Sequence, residues 1–135
     1  VHVADPKSSR QLVKGFHNIE QNAWRWTMGE FAVILRPPAG AAARGAVLSL
    51  RFSIPEPVMN KVAETTLSVT LAGVVLEPET YKRAGEYVYS RDVPRDLLAG
   101  DSVLAEFSLS KFLAPGEADQ RELGLVVSSI GLDLQ

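Results

Sequence analysis

Two tryptophans separated by one arginine are the residues whose type and spacing point most directly to chemistry. Trp24 and Trp26 share one face of the chain if the segment is extended, because side chains alternate along a strand. Flat indole rings pack against the C–H faces of sugars, while sugar hydroxyls bond to polar groups such as Arg25 and Glu20. The segment therefore predicts a saccharide site. The alternative is that an indole fills the core, where large rings bury much area; we expect this for Trp26, and Trp24 fits either role.

Arg121 is a further candidate for contact with a ligand. It lies in the charged segment ahead of the last apolar run of the chain. Its guanidinium could hold a ligand carboxylate or a pair of hydroxyls in a fork. It could equally tie its loop to Glu20 or Asp119 through a structural ion pair. The candidate ligand-binding residues are therefore Glu20, Trp24, Arg25, Trp26 and Arg121.

Signatures of catalysis and of metal binding are missing from the sequence. There is no cysteine, and the two histidines, His2 and His17, accompany no Gly-x-Ser-x-Gly nucleophile motif. His17 and Glu20 are spaced to converge on a helix but to diverge along a strand. Glu117 and Asp119 could hold calcium in a loop, although nothing resembles an EF-hand. No sequence context places two acids in a cleft, so we predict neither an enzyme nor a cofactor or metal.

Charge and length limit the partners and the domain organisation. The 14 basic and 16 acidic residues are scattered and give a net charge of −2, which argues against a nucleic-acid partner. Apolar stretches such as Thr65 to Leu76 are too short to span a bilayer, so we expect no membrane insertion. We expect residues 1–10 to be a flexible lead-in and residues 11–135 to be one domain, cut from a longer protein or processed.

Apolar residues recur at every second position through most of the chain. Leu48, Leu50, Phe52 and Ile54 are the clearest set, and turn-forming residues separate such runs. Ala72-Gly73 predicts a two-residue hairpin, and a shift of the apolar set near Ser128 and Ser129 predicts a β-bulge. We therefore predict an all-β fold, a two-sheet antiparallel β-sandwich of jelly-roll type with about eight strands.

Three short motifs carry a resemblance to a known group of proteins. They are Gly15-Phe16-x-x-x-Glu20, Trp24-Arg25-Trp26-Thr27, and Asp119-x-Arg121-Glu122-Leu123-Gly124 followed by Ser128-x-Ile130-x-Leu132. Together they resemble the small β-sandwich accessory modules found beside bacterial glycosyltransferases and other surface-polysaccharide proteins. The similarity spans about Gly15 to Leu132, although His17 stands where an aromatic residue would be more typical. It marks Gly15, Glu20, Arg25, Trp26, Thr27, Asp119, Arg121, Leu123 and Gly124.

That resemblance implies a non-catalytic accessory module with a carbohydrate-binding-like fold, and saccharide binding is our leading hypothesis. Fold analogy alone does not establish a ligand. The alternative is a structural or protein-interaction domain that docks onto the rest of a larger parent protein, which predicts a flat, apolar face around Trp24. A small hydrolase would instead require two carboxylates that converge in a cleft.

Overall fold

The alternating apolar pattern forms eight antiparallel strands in a computed structural model that describes residues 11–20, 24–115 and 121–134. The predicted lead-in over residues 1–10, His2, Glu117 and Asp119 lie outside these ranges. The strands are β1 (Leu12–Glu20), β2 (Trp24–Leu35), β3 (Ala46–Ile54), β4 (Thr65–Leu71), β5 (Val74–Tyr81), β6 (Gly85–Val93), β7 (Val103–Leu109) and β8 (Val126–Leu134). The all-β prediction is confirmed.

The long strand β2 organises the sheet because it is paired along both of its edges. Ala32 is in register with both β1 and β7, and Arg25 is in register with both β1 and β8. A strand residue has one neighbour on each edge, so β1 covers one edge of β2 while β7 and β8 share the other in succession. Beyond them, β4 and β5 extend the β7 side, and β3 and β6 extend the β8 side.

These strands form one nearly closed, barrel-like sheet where the sequence predicts two stacked sheets. Its order is β5-β4-β7-β2-β8-β3-β6, with β1 added beside β2. The outer strands β5 and β6 are joined by side chains. The hydroxyl of Tyr89 donates to the carbonyl oxygen of Glu77 at 2.6 Å, and Arg91 Nε donates to the same oxygen at 3.0 Å. These two strands are consecutive in the chain, and the alternating pattern does not reveal that they form the two ends of the sheet.

Inward-facing residues of all these strands form one core. Leu48, Leu50, Phe52 and Ile54 are each at most 4% exposed, which confirms the predicted buried face of β3. The rings of Phe31 on β2 and Phe107 on β7 stack with centroids 4.8 Å apart. Two neighbouring strands are thereby packed together inside the barrel.

Both local irregularities predicted from the sequence are present. Ala72 and Gly73 have φ values of 50° and 85°, as a two-residue hairpin turn requires. On β8 the register with β3 shifts, since Arg51 faces Ser129 whereas the next residue, Phe52, faces Val127. Ser128 is the extra residue of a β-bulge, which keeps the apolar side chains on both sides of it directed at the core.

Short helices lie at the ends of the barrel, and the alternating pattern does not predict the longest of them. Helix α2 (Glu56–Val62) follows β3 and buries Val58, Met59 and Val62. The sequence Pro55-Glu56-Pro57 indicated only a chain break, but proline is well tolerated in the first helical turn. Helix α1 (Ala41–Arg44) and a 3₁₀ turn, Arg95–Leu98, lie together at the other end. No helix among the described residues is long and apolar enough to cross a membrane.

Candidate functional site

Most of the motif residues build the junction between β1, β2 and the segment that enters β8. Gly15 has a φ of 81°, and a Cβ added there would lie 2.6 Å from the Cα atom of Phe31. A Cβ added at Gly124 would lie 2.6 Å from the carbonyl oxygen of Met28 and 2.8 Å from Thr27 Oγ1. Both glycines are therefore required by close packing of backbone against backbone.

Glu122 and Thr27 satisfy backbone groups where the partner of β2 changes from β7 to β8. The amide of Gly29 donates to Glu122 Oε2 at 2.8 Å. The amide of Leu125 donates to the hydroxyl of Thr27 at 3.0 Å, and Thr27 is fully buried. An unpaired buried amide is costly, so these side chains hold the interrupted edge of β2 together.

His17 and Arg25 also have structural contacts. His17 Nε2 lies 2.7 Å from the carbonyl oxygen of Glu122, and Arg25 Nη1 donates to the carbonyl oxygen of His17 at 3.0 Å. Arg25 is in register with the buried Val127, so it faces the inner side of the sheet, and burial lowers the pKa of its guanidinium. The structure therefore places Arg25 away from the outer surface that Trp24 faces.

Glu20 and Arg121 form an ion pair with each other. Arg121 Nη1 lies 3.0 Å from Glu20 Oε1, and both side chains are about one-third exposed, at 34% and 35%. This is the structural pairing that the sequence left open beside ligand binding. Glu20 is in register with Trp24, so the pair lies on the strand next to Trp24.

The two tryptophans differ in their surroundings. Trp26 is half-buried and contacts the hydrophobic core, while its register with Val126 places it on the same face of β2 as Trp24. Trp24 is also half-buried, but it lines an open groove on the outer face of the barrel. Trp24 is thus a predicted site residue that lines a surface concavity.

This concavity, here called the Trp24 groove, has a volume of about 410 Å³, within the range of small-ligand sites. Residues in register on neighbouring strands share a face. Val126 of β8, Ser53 of β3 and Glu86 of β6 accordingly form one row across the outer surface. The adjacent row contains Arg51 and Val88. The full lining is Trp24, Arg51, Phe52, Ser53, Glu86, Tyr87, Val88, Val126 and Ser128.

The groove combines an indole with charged and hydroxyl groups that are open to solvent. Arg51, Glu86 and Ser128 are exposed and Ser53 is half-buried. Among the described residues, the ion pairs are Arg91 with Glu79 and Arg121 with Glu20, so neither Arg51 nor Glu86 is in one. Aromatic surface beside uncommitted polar groups can pack on a ring and bond its substituents.

Sequence reasoning found Trp24 but missed Arg51 and Glu86. Along β3, Arg51 is one of several polar residues on the outward face, and nothing local separates it from Ser49 or Ser53. Only the pairing of β3 with β6 and β8 brings it beside Glu86 and the bulged Ser128. The predicted bulge was the one sequence feature that pointed to this region, because a bulge changes which side chains of β8 face outward around Ser128.

The described residues contain no group of three or more His, Cys, Asp or Glu side chains that could hold a metal ion. No protein-family model matches the chain. No curated protein is significantly similar to it. Functional inference therefore rests on the Trp24 groove.

Proposed function

We propose that this domain is a non-catalytic, carbohydrate-binding-like accessory module that holds a saccharide in the Trp24 groove. The observation that carries the proposal is the half-buried indole of Trp24 beside exposed Arg51 and Glu86. A sugar ring would pack its C–H face on the indole. Its hydroxyls would bond to the guanidinium, the carboxylate and the serine hydroxyls. Much of the binding energy would come from the aromatic contact.

Binding without hydrolysis is supported by the acids of the groove. Hydrolysis of a glycosidic bond normally uses two carboxyl groups that flank the scissile bond, roughly 5 to 9.5 Å apart. Glu86 is the single carboxylate among the described residues that line the groove. Glu20, on the strand next to Trp24, is engaged by Arg121. This arrangement favours recognition over acid–base chemistry.

The two-sheet jelly-roll description and the resemblance to modules beside glycosyltransferases belong to the same proposal. The two-sheet description is supported by the course of β2, whose first half pairs with β8 and whose second half pairs with β7. A jelly-roll sandwich likewise divides its strands between two packed halves. An accessory module of this kind would act beside a partner domain in a larger protein.

A second candidate function, docking onto another domain of a parent protein, is favoured by a different surface. Ile34 and Leu104 are in register on β2 and β7 and are 37% and 40% exposed. Their apolar side chains face outward on the half of the barrel away from the Trp24 groove. Contiguous exposed apolar residues can mark interaction surfaces. This surface and the groove are separate, so variants can test them independently.

The proposed function is tested by glycan-array screening of the wild-type chain, followed by calorimetric titration with the saccharides that bind. Trp24→Ala removes the stacking surface and is expected to weaken binding at least tenfold, or about 1.4 kcal/mol. Ile34→Ala, an exposed apolar truncation outside the groove, is the matched control and should bind like wild type. Absence of any saccharide binding by the wild-type chain, or unchanged binding by Trp24→Ala, would contradict the proposal.

A further inference from the structure

We propose that the Trp24 groove selects acidic saccharides, with a sugar carboxylate held by Arg51. This inference rests on the proposed saccharide binding and adds the class of ligand. It follows from the position of Arg51 on β3, which is flanked by β8 on one side and by β6 on the other. Arg51 thus lines the groove from a central strand, and it is exposed to solvent.

Other strand arginines of the domain have structural tasks that Arg51 lacks. Arg91 donates to the carbonyl oxygen of Glu77 and lies 3.6 Å from the carboxylate of Glu79. Arg25 donates to a backbone carbonyl of β1. Arg51 takes part in a hydrogen bond through its carbonyl oxygen, which accepts from Ser128 Oγ at 3.3 Å, and this leaves the guanidinium for a ligand. A guanidinium binds a carboxylate through two parallel hydrogen bonds, which a neutral hydroxyl cannot match.

The spacing of the groove suits a sugar with an exocyclic carboxylate. Trp24 on β2 and Arg51 on β3 are separated by β8, so their backbones are about two interstrand spacings, or roughly 10 Å, apart. Both residues line the groove. A pyranose ring stacked on Trp24 would leave an exocyclic carboxylate within reach of an arginine side chain two strands away.

Glu86 makes the two ends of the groove chemically different. It lies on β6 beyond Ser53, one row away from the row of Arg51. Its carboxylate can accept hydrogen bonds from sugar hydroxyls but repels a second sugar carboxylate. The groove thus favours a saccharide in which an acidic unit adjoins a neutral one. Val88, which is 49% exposed and in register with Arg51, offers an apolar contact at the far side.

The inference is tested by calorimetric titration of the whole chain with matched saccharide pairs. Each pair contains an oligosaccharide of alternating uronic acid and neutral sugar, and the same oligosaccharide with its carboxyl groups reduced to alcohols. The wild type is expected to bind the acidic member at least tenfold more tightly at low salt, with the preference shrinking as ionic strength rises.

Arg51→Ala is expected to abolish this preference, because it weakens the acidic member far more than the neutral one, which keeps its contact with Trp24. Arg51→Lys should keep only part of the preference, because an ammonium does not form the two-pronged bond. Arg36→Ala, an exposed arginine at the end of β2, is the matched control.

Equal binding of both members by the wild type, or equal loss of both in Arg51→Ala, overturns the acidic preference and leaves saccharide binding intact. Failure of the wild type to bind either member, together with a blank glycan array, overturns saccharide binding and this inference with it.

Discussion

Replacement of Gly15 by alanine measures how strongly the β1–β2 junction constrains this fold. Gly15 has a φ of 81°, and an added Cβ would overlap the carbonyl oxygen of Glu30 and lie 2.6 Å from the Cα atom of Phe31. Those atoms belong to the backbone of β2, which is held by β7 on its opposite edge. They have no freedom to rotate away as a side-chain tip would.

Gly73→Ala is a control that separates backbone conformation from crowding. Gly73 has a φ of 85°, but no heavy atom would lie within 4 Å of an added Cβ. Gly73→Ala should therefore lower the free energy of unfolding only by the cost of the left-handed conformation, about 1–2 kcal/mol. Gly15→Ala adds overpacking of about 1–3 kcal/mol, for a total of roughly 2–5 kcal/mol.

Thermal and urea unfolding followed by circular dichroism compare the two variants with the wild type. For a domain of this length, 1 kcal/mol lowers Tm by about 3 to 5 °C. We expect a shift of a few degrees for Gly73→Ala and a larger one for Gly15→Ala, which carries the added cost of overpacking. Equal shifts in the two variants would refute the reasoning, since they would show that β1 moves away from β2 without cost.

Two further predictions concern groups that stabilise the fold. Glu122→Ala leaves the amide of Gly29 without its carboxylate partner, so we expect it to lower the free energy of unfolding by about 1–3 kcal/mol. Glu122→Gln should cause a smaller loss. An unchanged urea midpoint in Glu122→Ala would contradict this role. Burial raises the pKa of Tyr81 and of Tyr89, and the hydrogen bond to Glu79 raises the former further. The unfolded chain therefore loses these protons first, so stability should fall as pH rises above about 10. Urea titrations from pH 8 to 11 should show a weaker decline for Tyr81→Phe, and an identical decline would argue against this cause.

Local rules predicted the strands and their irregularities well. The buried face of β3, the Ala72-Gly73 hairpin and the bulge at Ser128 each depend on a few neighbouring residues, and each is confirmed. Helix α2 is not evident from the sequence, because a proline such as Pro57 often marks a chain break, although its place in the first turn is compatible with a helix.

The candidate site was predicted less completely than the fold. Trp24 was identified from residue type and spacing, and it does line a groove. The predicted neighbours Glu20 and Arg121 pair with each other, and Arg25 faces inward. The direction of a side chain along a strand can be inferred from the sequence. The group that a given guanidinium binds cannot be inferred in this way.

Period-two alternation along the chain predicts strands with one buried face, because this pattern has few other stable outcomes. The closure of these strands into a barrel-like sheet, and the grouping of Arg51 and Glu86 with Trp24, emerge only in the folded chain. Register explains the difference. Strands far apart in the chain pair through backbone hydrogen bonds that carry little sequence information, yet a shift of one residue would turn every outward side chain inward.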